Sequence, residues 1–76
     1  MEQELIELLE DVMELDEGTL KPDTRFRDFA EWNSVAHLSV VAAVDDQYDV
    51  TLPLEDFRAL HTIQELSEYI HKNRDN

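Results

Sequence analysis

Ser34, in the stretch Glu31-Trp32-Asn33-Ser34-Val35, is the side chain of this 76-residue sequence best placed to do chemistry. His37 follows three residues later, a spacing at which side chains on a helix can meet. A hydroxyl beside an imidazole invites a nucleophilic reading. That chemistry needs an orienting acid and an oxyanion hole, and neither is evident around Ser34. His37 is therefore expected to be an ordinary helix-surface histidine, and no catalytic residue is expected. His61 and His71 share no ligand spacing with it, and Asp16-Glu17-Gly18 and Asp45-Asp46 do not fit a calcium loop. No metal site is expected either. What remains for Ser34 is a role as a helix cap or as a point where a group is attached.

Charge narrows the possible partners. The chain has 19 acidic residues against 6 basic ones, a formal net charge of -13. Nucleic acid and anionic membranes are not expected partners, because each phosphate contact needs a cation. Attraction to basic protein surfaces is expected instead, weakening with salt. A hydrophobic fraction of 42% is enough for a small core. A chain of this length is expected to form one domain over residues 1–76 and a monomer, burying about 60% of its unfolded surface. With no cysteine, a disulfide scaffold is excluded and a reducing compartment is compatible. Met1-Glu2-Gln3-Glu4 has neither the positive start nor the apolar run of a signal peptide, and no membrane span is expected. The cytoplasm is the expected location.

The elements that would position Ser34 are helical. From Glu2 to about Leu15, Leu5, Leu8 or Leu9, Val12 and Leu15 or Met13 recur at helical steps. Glu4, Glu7, Glu10, Asp11 and Glu14 would form a solvated acidic face, and Gly18, the only glycine, would be the stop. A long connection follows to Asn33, with Leu20, Phe26, Phe29 and Trp32 as apolar pins. The second helix is expected over Ser34 to Tyr48, ended by Asp49-Val50-Thr51-Leu52-Pro53-Leu54. Residues 55–60 allow one short helical piece. Thr62-Ile63-Gln64-Glu65 is a capping box opening a last helix with Ile63, Leu66 and Ile70 on its apolar stripe. The fold class is all-α: three longer helices and one short one around one core.

On the second helix, Leu38, Val41, Val44 and Tyr48 follow 3-3-4 spacing and are expected to face the core. Val35, Ser39, Ala42 and Asp46 lie on another face, with small and apolar groups where a solvated helix would carry charge. Such a face suits helix-in-groove recognition or a central helix buried on several sides. At the helix start, either Asn33 is the N-cap and Ser34 keeps a free hydroxyl, or Ser34 is itself the cap. In the first case the outward-pointing amides and the helix dipole favour an anion there by ~0.3–1 kcal/mol.

The stretch from Phe26 to Leu38, carrying Trp32-Asn33-Ser34-Val35, resembles the acyl carrier protein family, whose signature is Asp-Ser-Leu at the start of the second helix. Tyr48-Asp49-Val50-Thr51-Leu52-Pro53 is similar to the family's turn after that helix, and Thr62 to Ile70 to its last helix. The resemblance implies a small four-helix bundle of acyl-carrier type that is not an enzyme. It implies that Ser34 receives 4'-phosphopantetheine from coenzyme A through a phosphopantetheinyl transferase. The arm's thiol would then hold an acyl or aminoacyl group as a thioester for partner enzymes, with the cofactor supplying the sulfur that the chain lacks. Val35, Ser39, Ala42 and Asp46 match the family's partner-recognition helix. Two positions depart from the family: Asn33 stands for its aspartate and Val35 for its leucine. Ala36 and Ser39 also stand where relatives often carry acids. These departures point to a dedicated set of partners, or to the alternative of an unmodified acidic interaction module that keeps the carrier fold.

Overall fold

The computed structural model describes residues 2–74. Helix α1 spans Glu2–Met13, α2 Ser34–Tyr48, α3 Leu54–Arg58 and α4 Ile63–Asn73, and a 3-10 turn, Phe26–Asp28, interrupts the long connection before α2. Three longer helices and one short one are therefore present, in the expected order. Among the described residues the only β pairing is an isolated bridge between Arg25 and Thr62.

Helix α1 packs against both α2 and α4. Its Leu5, Ile6, Leu9 and Met13 are buried, while Leu8, Val12 and Leu15 lie partly buried at the margin. The helix stops earlier than expected and without glycine. Glu14 takes the left-handed conformation at φ 58°, its N–H donates to the Asp11 carbonyl, and the Leu15 N–H donates to the Glu10 carbonyl at 2.8 Å. Those two bonds make a Schellman ending, which satisfies two of the terminal carbonyls. Gly18 has φ 88° but lies in the turn beyond.

Glu10 also departs from the expected solvated face. It is buried, and its carboxylate accepts the Leu20 N–H at 2.9 Å. The connection crosses α1 there and needs an acceptor for a buried amide. Leu20 and Phe26 are buried and Phe29 and Trp32 half-buried, so the four apolar pins hold. Polar ties supplement them, since the Gln64 N–H at the start of α4 donates to the Pro22 carbonyl at 2.9 Å.

Helix α2 presents Ala36, Val40, Val44 and Tyr48 to the core, a 4-4-4 spacing. Leu38 is instead 65% exposed and Val41 only half-buried, which corrects the expected core face at those two positions. From Ser34 to Val44 this helix has no Asp, Glu, Lys or Arg, so apolar periodicity alone does not select a face. Packing against α1 makes the choice. At α4 the capping box forms as expected: Thr62 accepts from the Glu65 N–H, and Glu65 accepts from the Thr62 N–H.

Candidate functional site

The start of α2 is settled by Asn33. Its backbone is extended at φ -144°, and its Oδ1 accepts the Ala36 N–H at 2.9 Å. Its carbonyl accepts the first helical bond, from the His37 N–H at 2.9 Å. Asn33 is thus the N-cap, and Ser34 is the first helical residue. The Ser34 side chain is exposed, and among the described residues no hydrogen bond engages its hydroxyl. The alternative, Ser34 as cap, is not the arrangement adopted.

Among the described residues no hydrogen bond joins His37 to this hydroxyl. Its ring stacks on Phe57 at 4.8 Å between centroids and stands edge-on to Trp32 at 6.4 Å. Desolvation first, then the neighbouring charges of Arg27 and Arg58, lower its pKa below the ordinary 6.5. A histidine in cationic surroundings with no carboxylate partner is a poor general base for Ser34.

Trp32, Phe26 and Phe57 form the floor beneath the loop that delivers Ser34. Trp32 lies edge-on to Phe26 at 4.9 Å and to Phe57 at 5.9 Å. Arg27 locks this floor to α3. Its Nε donates to the Leu60 carbonyl at 2.7 Å, and Nη2 donates to the Phe57 carbonyl. Its guanidinium also lies over the Phe57 ring at 4.7 Å, within reach of a cation–π attraction. Desolvation, and then the charge of Arg58, lower the Arg27 pKa from its ordinary value.

Around Ser34 these parts enclose a shallow depression of about 350 Å³ lined by Arg27, Trp32, Asn33, Ser34, His37, Leu54 and Arg58. A larger hollow of about 590 Å³ lies elsewhere, beside the start of α1, but it contains no comparable convergence of cations on a free hydroxyl. Of the expected recognition residues, Val35, Ala42 and Asp46 are exposed and Ser39 is half-buried. Leu38 and Leu54 add two exposed apolar side chains that the sequence reading did not assign to this face. Arg27, Leu54 and Arg58 were likewise not singled out. Only the packing of α3 against the 3-10 turn brings them beside Ser34. Among the described residues no group of three His, Asp or Glu side chains is arranged to hold a metal ion.

Comparison with known proteins gives a consistent result. The family model described as "Phosphopantetheine attachment site" matches residues 3–70. A meromycolate extension acyl carrier protein of Mycolicibacterium aurum is 28% identical over 90% of this chain and 70% of its own length. An acyl carrier protein of Syntrophobacter fumaroxidans is 22% identical over 97% of this chain and 91% of its own. The solution structure of holo acyl carrier protein from Geobacter metallireducens superposes with a TM-score of 0.76 at 19% identity, over 95% of this chain and 83% of its own. A family model that matches nearly the whole chain, on a fold shared with a solved acyl carrier protein, leads to one conclusion: this chain belongs to the acyl carrier protein family, whose members are carriers rather than enzymes and whose cofactor is covalently attached 4'-phosphopantetheine.

Proposed function

We propose that Ser34 is the attachment point of the 4'-phosphopantetheine arm, and that the chain, one carrier domain over residues 1–76, presents an acyl or aminoacyl group to partner enzymes. The observation carrying this reading is the exposed Ser34 hydroxyl at the first position of α2, left free because Asn33 does the capping. The surroundings fit the group. The depression beside Ser34 is lined by two arginines and no carboxylate, and the free amides of the helix start face outward. When bound, the arm supplies a thiol for thioester formation, which a chain without cysteine cannot. The chain's own part is to hold Ser34 exposed, keep the site free of a competing carboxylate and offer a docking face.

That face is α2, through Val35, Ser39, Ala42 and Asp46 with Leu38 beside them. Its partners are a phosphopantetheinyl transferase and acyl- or aminoacyl-transferring enzymes. The net charge of -13 supports long-range steering toward partners with basic surfaces, by a monomeric carrier. Absence of cysteine supports a reducing, cytoplasmic location.

Incubation with coenzyme A, magnesium and a phosphopantetheinyl transferase tests the attachment. A mass increase corresponding to one arm is expected, and Ser34→Ala should abolish it. An increase that survives the substitution would move the attachment elsewhere. A wholly unmodified population in native cells would favour the interaction-module alternative suggested by Asn33.

A further inference from the structure

The cations beside Ser34 are out of keeping with the rest of the molecule. The sequence has only six Lys and Arg, and two of them, Arg27 and Arg58, line one small depression together with His37. Arg58 is exposed, and among the described residues it has no ion pair; the one such pair recorded is Arg25 with Asp28, at 3.4 Å. Arg27 is oriented by two neutral carbonyls and three aromatic rings, so its charge is positioned without being neutralised. Desolvation first, and then the charges of these neighbours on one another, lower the pKa of Arg27 and His37. In a chain with 19 carboxylates, none lines this depression. Arginine is suited to a phosphate group, because its planar donors match the oxygens and its charge is fixed at all working pH values.

We propose that Arg58 and Arg27, with His37, form an anion subsite that holds the phosphodiester of the arm against the start of α2. This inference rests on Ser34 being the attachment point. Its consequence is that the root of the arm is held by the carrier itself, through α3 and the 3-10 turn, and does not leave Ser34 unconstrained. Arg58 is the residue to vary, because replacing Arg27 would also break its bonds to the Leu60 and Phe57 carbonyls.

The test prepares unmodified and modified forms of the wild type and of Arg58→Gln, with mass spectrometry confirming attachment in each. Two quantities are then compared, the His37 titration followed by NMR and the melting temperature. Attachment should move the wild-type His37 titration to higher pH, since an anion arrives among the cations. It should also raise the melting temperature. In Arg58→Gln both changes should fall by at least half, and in Arg58→Lys they should be largely kept. Equal changes in wild type and Arg58→Gln, with the mass gain present, would overturn the subsite while leaving the attachment intact. No mass gain in the wild type would remove the attachment reading and the subsite with it. Wild type should then be loaded with a malonyl or an acetyl group. A change that appears only with the malonyl group would assign the cations to a cargo carboxylate and overturn the proposal.

Discussion

Helices α1 and α2 pack against each other yet are built on opposite plans. In α1 the apolar residues keep to one side and acids occupy most of the rest, so its pattern says which side is buried, Glu10 apart. In α2 the first eleven residues, Ser34 to Val44, have no Asp, Glu, Lys or Arg, and apolar groups appear on every side. One side, Ala36, Val40 and Val44, is buried, while Val35 is 72% and Leu38 65% exposed. Helix α1 serves the core, and α2 serves it on one side while its exposed side is the face proposed above for docking.

The sharpest way to break this contrast is to truncate matched leucines. Leu9→Ala in the fully buried face of α1 should cost about 2–5 kcal/mol of stability, measured by urea unfolding. Leu38→Ala should change stability by no more than about 0.5 kcal/mol, yet slow modification or acyl transfer by partner enzymes. Equal stability losses would show that the two helices do not differ as described.

A smaller effect is expected at the start of α2. Asn33→Ala should cost about 0.5–2 kcal/mol, because the Ala36 N–H loses its acceptor. Asn33→Asp should keep the cap and its stability while changing the rate of modification, since it adds a charge beside Ser34. Unchanged rates would show that the transferase does not read this position.

At the far end of α2 the expected change has the opposite sign. Asp49 ends the helix in the left-handed conformation at φ 58°, its N–H donating to the Asp45 carbonyl at 3.0 Å. Asp49→Gly should therefore stabilise by roughly 0.5–1 kcal/mol, relieving both the backbone strain and an acid at the negative end of the helix dipole. A loss of stability in thermal unfolding would contradict this.

The smallest effect concerns pH. His37 has its folded pKa lowered by desolvation and by Arg27 and Arg58, so the neutral ring is favoured in the folded state. Its stabilising contribution is therefore present above the ordinary value of 6.5 and is lost as pH falls through the lowered folded value. In the unmodified protein, His37→Gln should flatten the decline in stability as pH falls from 6.5 to the lowered folded value. An unchanged pH profile would show that the surrounding cations do not act on the ring.

Much of the site was legible because it is local. Asn33 beside Ser34 forms a cap from a side chain and amides within one turn, and Thr62 with Glu65 does the same at α4. Such motifs depend on backbone conformations that a few residues dictate. Glu10 was misread for the opposite reason: its acceptor role arises from Leu20, in a connection that crosses α1. Leu38 was misread because a helix with apolar groups all round carries no preferred side.

From its own sequence this chain determines the number and order of its helices and confines the cap of α2 to Asn33 or Ser34, through residues a turn or less apart; the backbone conformation then selects Asn33 and leaves the Ser34 hydroxyl free. The tertiary structure alone decides which side of α2 meets solvent and which cations gather at Ser34. Arg27 and Arg58 belong to separate elements, and they come together only when the aromatic floor of Phe26, Trp32 and Phe57 closes the 3-10 turn onto α3.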